Sequence, residues 1–314
     1  MLENRNAIEY KDEAEWLELR KQYYTSTMTP ALFDMSPYLT EFEMYHAKKS
    51  GLQVPFETNE RVEKGKRLEE AVAKEVGLML NCEVQPFKEF VTIPETKIGS
   101  SFDWKINHPE HGWIVLEIKC VDWRVHKNSW IDGQAPDHIE LQVQHQMEVA
   151  NCDHAIIAAA TGIYDIHIYE RERDKEVGQA IIKAVSRFES NLSNNIIPEV
   201  NYARDTEIIK LLYKDADGEI DLKSDNNIDN LLDKYLRLKK REKIIEGGLT
   251  AIKNEIHCKM KDKSIGTSNN YKLNCTWTKD SQGTLIEESM VGSYLGGKKG
   301  YRQLRITELK KKND

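Results

Sequence analysis

Little in this 314-residue chain suits an oxidising or membrane setting. It has five cysteines, Cys82, Cys120, Cys152, Cys258 and Cys275, an odd count with no CxxC pair. That pattern argues against a disulfide framework and against a zinc or iron–sulfur site, so the thiols are read as reduced. No apolar run approaches the ~20 residues that cross a bilayer. The opening MLENRNAIEYKDEAEW is acidic and polar, which does not read as a signal peptide. A cytoplasmic protein with no membrane contact is the expectation. Positive charge is also short: the balance is −7. This argues against a general nucleic-acid coat, because nonspecific binding rests on neutralising phosphates. It leaves room for a basic groove inside an acidic protein, where metal-binding carboxylates themselves add negative charge.

What is present is a charged, globular composition, 39% hydrophobic and 31% charged, of a length that suits one large domain with an appendage. Residues 12–24 carry Trp16, Leu19 and Tyr23 at helical spacing, and Thr29-Pro30 reads as the cap and first turn of a short helix. Residues 40–49 and 59–80 are further helices. Val62, Leu68, Val72, Val76 and Leu80 form the apolar stripe of the second, with Glu69 at its edge. Strand patterns follow at 89–93, 101–106 and 113–120, then the loop VDWRVHKNSWIDGQA. Its Trp123, Arg124, Lys127 and Trp130 are candidate substrate contacts; the other reading is a lid whose tryptophans merely pack. A helix from Pro136, strands at 155–160 and 163–169, and an amphipathic helix over 171–192 complete the pattern. This order predicts an α/β or α+β fold with a central mixed sheet flanked by helices. After residue 200 the character changes. Leu231, Tyr235, Leu238, Ile245, Leu249, Ile252 and Ile256 follow a heptad seam that lacks its apolar member at Glu242. The expectation is a domain over 1–200 and an extension over 201–314, with a long helix at 228–260, a strand at 271–279 and a basic tail.

The stretch GSSFDWKINHPEHGWIVLEIK, residues 99–119, organises the rest. Two strand patterns flank the turn-rich Asn107–Gly112. If Asn107 faces Trp113, Asp103 lies opposite Glu117, and facing Cβ atoms are roughly 5 Å apart, close enough for two carboxylates to share one cation. Glu117 and Lys119 leave the same face of their strand, and Ile118 points the other way with Ile114 and Leu116. Two carboxylates and an ammonium on one surface suit Mg²⁺-assisted attack on a phosphodiester.

Five motifs, in order, carry a resemblance: Leu19-Arg20 with Thr25-Ser26-Thr27, Gly65-Lys66-Arg67-Leu68-Glu69, Ser101-Phe102-Asp103, Leu116-Glu117-Ile118-Lys119 and Gln142-Val143-Gln144. Over roughly residues 12–192 the chain resembles the phage lambda-type exonucleases, the YqaJ-like viral recombinase family of the PD-(D/E)xK nuclease superfamily. Two departures stand out. Thr27 replaces a usual serine, and Phe102-Asp103-Trp104 replaces Pro-Asp-Gly.

The resemblance implies a 5′-to-3′ exonuclease on linear double-stranded DNA that yields 5′-mononucleotides and 3′ single-stranded tails. It implies Mg²⁺, with Mn²⁺ as a substitute, a homotrimeric ring, a single-strand annealing partner, and a phage or prophage origin in a bacterial cytoplasm. Asp103 and Glu117 would hold the metal with the Ile118 carbonyl, and Glu69 a second cation directly or through water. Lys119 would orient or deprotonate the attacking water, or stabilise developing charge. Gln142 would position the water or Lys119. Arg20, Ser26 and Thr27 would take the terminal 5′-phosphate. The rival readings are another nuclease of the superfamily, an endonuclease or a Cas4-like enzyme, and a non-catalytic DNA-binding or scaffold protein.

Overall fold

The structure is a computed structural model that describes residues 1–55, 60–162, 165–215 and 217–276. The elements run β1 (Asn6–Glu9), α1 (Glu13–Gln22), a 3-10 helix (Thr29–Phe33), α2 (Glu41–Ser50), α3 (Glu60–Leu80), β2 (Val84–Pro86), β3 (Glu89–Thr92) and β4 (Gly99–Ser100). They continue with β5 (Trp104–His108), β6 (Gly112–Cys120), α4 (Trp123–Ser129), α5 (Asp137–Ala150), β7 (His154–Ala160), β8 (Ile166–Glu172), α6 (Lys175–Ser193) and α7 (Thr206–Leu212). Last come α8 (Ile228–Met260), β9 (Ile265–Thr267) and β10 (Lys272–Asn274). The basic tail and the end of the expected 271–279 strand lie outside the described residues, as does the start of the strand expected at 163.

Contacts divide the chain into two units after Tyr213. The first reaches past the expected boundary at 200 because α7 is anchored in it. Ile208 is buried, and the buried Asp205 carboxylate accepts the hydroxyl of Thr40, the N-cap of α2. The second unit holds α8 and the β9–β10 hairpin.

The first unit is built on a five-stranded mixed sheet in the order β2-β5-β6-β7-β8. β6 and β7 run parallel and the other neighbours antiparallel. A separate antiparallel sheet, β1-β3-β4, lies beside it. Two apolar cores sandwich the main sheet. On one face Val72, Ala73 and Val76 of α3 meet Ile106, Ile114, Leu116 and Ile118. On the other, α5 and α6 supply Val143, Met147, Val185 and Phe188 against Val115, Ala155 and Ile157. Each fully buried aliphatic or Phe side chain there contributes roughly 1.5–3 kcal/mol. Coverage on both faces explains why Ile114–Ile118 of β6 is continuously buried rather than alternating.

Several boundaries differ from the sequence reading. The 3-10 helix is capped by Met28, and the Thr29 hydroxyl turns inward to the Thr25 carbonyl and His145. The loop after β6 contains α4, capped by Asp122 through the Arg124 N–H at 2.9 Å. Arg171 and Glu172 belong to β8, and α6 starts later, where Asp174 caps it. In α3 the buried stripe is Val72, Ala73 and Val76, while Leu68 is 53% exposed. Glu69, one turn before Ala73, takes the inward position that the sequence assigns to Leu68. Gly247-Gly248 leaves α8 unbroken.

Candidate active site

The hairpin closes in the expected register, with Asn107 across from Trp113 and Trp104 across from Leu116. The ladder stops there, and a bend at Asp103 sends the neighbouring aromatics to opposite cores. Phe102 stacks on Phe87 with centroids 4.4 Å apart, in the α5-side core, and Trp104 joins the α3-side core. These two buried rings pin the aspartate where the family pattern has proline and glycine. Asp103 Oδ2 accepts the Ile118 N–H at 3.0 Å. A strand residue's N–H and C=O leave by the same edge, so the Ile118 carbonyl lies on the aspartate's side of β6.

Glu117 is 2% exposed in the middle of the central strand. A carboxylate there is costly unless every oxygen is matched. Oε1 accepts Lys119 Nζ at 2.6 Å and Gln142 Nε2 at 2.7 Å, and Oε2 accepts Gln146 Nε2 at 2.6 Å. Lys119 Nζ also donates to Gln142 Oε1 at 3.1 Å. Gln142 and Gln146 sit one turn apart on α5, so both amides face β6. Gln146 Oε1 is buried with no donor among the described residues. Such an orphaned acceptor calls for a water or another proton donor in the cleft.

The charges are crowded. Burial, and then the Glu117 charge, hold the Asp103 carboxyl well above the usual aspartate range. Burial alone would lower the Lys119 ammonium, yet Glu117 and Asp103 outweigh it and hold it above the ordinary lysine value. Burial, and then Glu117, raise Glu69, which also takes a hydrogen bond from the Trp104 side chain. Asp103 and Glu117 with the Ile118 carbonyl form a hard-oxygen set that fits a divalent cation. Among the described residues no three His, Cys, Asp or Glu side chains are grouped to hold a metal. Glu69 adds a third negative charge beside this pair.

A second cluster lies at the C-terminal end of α1. The Arg20 guanidinium forks between Thr27 Oγ1 at 2.8 Å and Ser101 Oγ at 3.3 Å, and it covers the Trp16 ring at 4.7 Å. Thr25 and Thr27 hydroxyls are 3.2 Å apart. Burial lowers the Arg20 pKa from the ordinary arginine value. Lys48 fixes this end of α1 by donating to the Lys21 and Tyr23 carbonyls at 2.7 and 2.9 Å. Ser26 stands apart from its neighbours: it is buried, and its hydroxyl accepts from Ser100 Oγ at 3.1 Å.

The aromatic and basic residues after β6 separate into two groups. Trp123 is 55% exposed with the Arg124 guanidinium 5.6 Å from its ring centroid, and Lys127 is exposed. Trp130 is buried at 7%, stacked on His126 and tilted against Tyr169. It is a core residue and offers no face to DNA; aromatic content alone does not tell a buried tryptophan from an exposed one.

Sequence reading did not assign a role to Gln146, His145, Tyr38 or His138. Gln146 reads as part of a buried face, and only its four-residue spacing from Gln142 pointed to β6. Gln144, within the matched motif, instead serves structure, bonding the Glu172 carbonyl and the Asp174 N–H. His145 ties both clusters to α5: Nε2–H donates to the Gly99 carbonyl at 3.1 Å, leaving Nδ1 to accept the Thr29 hydroxyl at 2.7 Å. Tyr38 and His138, edge to face at 5.9 Å, interact electrostatically with Lys119, and His138 is one turn before Gln142.

Residues 15–153 match the model of the YqaJ-like viral recombinase domain. This segment is similar to that family's domain. The matched segment spans both clusters, from Arg20 to Gln146. A relative is the uncharacterized protein YqaJ of Bacillus subtilis (strain 168), 25% identical over 265 residues, which cover 82% of this chain and 81% of that protein. Among solved structures, an alkaline exonuclease of Laribacter hongkongensis aligns over 63% of this chain and 99% of its own, at 19% identity and a TM-score of 0.48. A phage related exonuclease of Haemophilus somnus 129PT aligns over 60% of this chain and 89% of its own, at 21% identity and a TM-score of 0.40. No helix among the described residues is long and apolar enough to cross a membrane.

Proposed function

We propose that the YqaJ-like domain is a Mg²⁺-dependent exonuclease that enters linear duplex DNA at a 5′ end, releases 5′-mononucleotides and leaves a 3′ single strand for annealing. The observation that carries this reading is the buried Glu117 of the central strand, held by Lys119, Gln142 and Gln146 beside Asp103. A fold does not bury a carboxylate beside a second one for stability alone. Bound between Asp103, Glu117 and the Ile118 carbonyl, Mg²⁺ would activate water and neutralise the phosphate.

The chain's own residues supply the rest. Lys119 is held as an ammonium by Glu117 and Asp103, so it acts through its charge and its N–H donors on the phosphate oxygens rather than as a base. Gln142 fixes the Nζ position by accepting from it while donating to Glu117. Gln146 locks the other oxygen of Glu117. The Arg20 fork, with Thr27 and Ser101, suits a terminal phosphate dianion. Trp123, Arg124 and Lys127 are exposed and free to meet the duplex. A homotrimeric ring, a single-strand annealing partner and a phage or prophage source belong to the same proposal, supported by the family resemblance.

Digestion of end-labelled linear duplex tests it. Mononucleotides should leave the 5′-ended strand in Mg²⁺ and not in EDTA. A 5′-phosphate should be cut at least about tenfold faster than a 5′-hydroxyl, as one charge-assisted pair contributes roughly 1.5–3 kcal/mol. Arg20→Gln should erase that ratio while leaving slow cutting of hydroxyl ends. Release of the 3′ label first, or cutting of closed circles, would overturn the polarity and end-dependence.

A further inference from the structure

The seam of α8 is the feature that the nuclease reading leaves unused. Leu231, Leu238, Ile245 and Ile252 fall at heptad position d, and Tyr235, Leu249 and Ile256 at a, with Glu242 at the remaining a site. The seven apolar members are exposed within this chain, at 37% to 61%. A stripe of that length on a helix without a break needs a cover.

The flanking charges choose the cover. Lys239, Glu246 and Lys253 lie at e, and Lys234, Arg241 and Glu255 at g. In a parallel, in-register pair of α8 helices, Glu242 would meet Glu242 in the seam, and Lys234 would face Lys239 across the flank. Turned antiparallel, Leu231 meets Ile256, Tyr235 meets Ile252, Leu238 meets Leu249 and Glu242 meets Ile245. The flanks then place Lys234 against Glu255 and Lys239 against Glu246, each twice by symmetry, with no like charges opposed. Neighbouring registers lose this. A slip of one heptad one way sets Lys239 against Lys239 and Arg241 against Arg241. A slip the other way sets Glu246 against Glu246 and Lys239 against Lys253. Glu242, the single acid of the seam, keeps a cation from its own helix, Lys239 Nζ at 2.6 Å.

We propose that α8 pairs antiparallel with α8 of a second copy of this chain, joining two copies through their C-terminal units. The pairing does not depend on the nuclease reading and is tested without any activity assay. The mass of the full-length protein is measured by sedimentation equilibrium for wild type, for Lys234→Glu with Lys239→Glu, and for Glu246→Lys with Glu255→Lys. All four positions are surface residues of one helix, and circular dichroism checks that each variant is folded. Each double variant alone should show half the wild-type mass, and an equimolar mixture of the two should recover it. Unchanged mass in the variants would overturn the proposal, whether the seam is covered by another part of the chain or by nothing. Direction is read by oxidation, with Cys258 and Cys275 replaced by serine. Leu238→Cys mixed with Leu249→Cys should give the mixed disulfide alone. Homodisulfides from either variant by itself would overturn the antiparallel arrangement.

Discussion

Gln146 donates its side-chain amide to Glu117 Oε2 at 2.6 Å, one helical turn beyond the Gln142 amide that meets Oε1. The pair grips a buried carboxylate from one side as a chelating hand would. Gln146→Leu removes half of that grip and strands a buried acceptor, which costs about 1–3 kcal/mol. The expected outcome is a drop of that size in urea unfolding and a fall in kcat of tenfold or more at unchanged DNA affinity. Gln144→Leu, on the same helix and clear of Glu117, should leave kcat near wild type.

Asp103→Asn should separate activity from stability. The asparagine carbonyl can still accept the Ile118 N–H. The substitution removes a carboxyl that burial and Glu117 hold well above its ordinary range. Nuclease activity should fall by about 10³-fold or more, since an anionic ligand of the proposed cation is lost. In EDTA the variant should melt above wild type. An equal or lower melting temperature would show that Asp103 is not under charge strain in the metal-free protein.

His145 gives a pH signature that lies outside the charged cluster. Burial holds its pKa down to about 4, against roughly 6.5 in an unfolded chain. The folded state keeps it neutral, so the unfolded state binds the extra proton between those values. Its contribution is complete above about pH 6.5 and is lost as pH falls toward 4, by an amount on the order of 3 kcal/mol. His145→Gln should lower stability at neutral pH and flatten its slope between pH 6.5 and 4. Chemical unfolding across that range reads both effects.

The sequence was most legible where period and turn chemistry act locally. The turn formers at 107–112 between two strand patterns pointed to the Asn107–Trp113 register that the hairpin adopts, and with it the neighbourhood of Asp103 and Glu117. It was less legible where burial depends on distant parts of the chain. Leu68 and Glu69 are adjacent in sequence; Val72, Val76 and Leu80 of the expected stripe pack, but the leucine faces solvent and the glutamate turns inward. Trp123 and Trp130 belong to one aromatic-basic stretch, yet only the second meets Tyr169 of β8. β1 and β2 are short, and neither run alternates enough to announce a strand. Ser26 sits among hydroxyls that line the Arg20 cluster, but its direction is set by Ser100, which comes from a strand far along the chain.

His145 leaves the same helix as Gln142 and Gln146 and reaches Gly99 and Thr29, the backbone and hydroxyl neighbours of the arginine cluster. On the proposed reading, grip on the DNA end and cleavage would be mounted on one rod. The stride between them is set by the rise of α5, about 1.5 Å per residue, and not by the give of a loop. A fluctuation that frays α5 would slacken both ends together, so the enzyme would let go of its substrate in the same motion that disarms it.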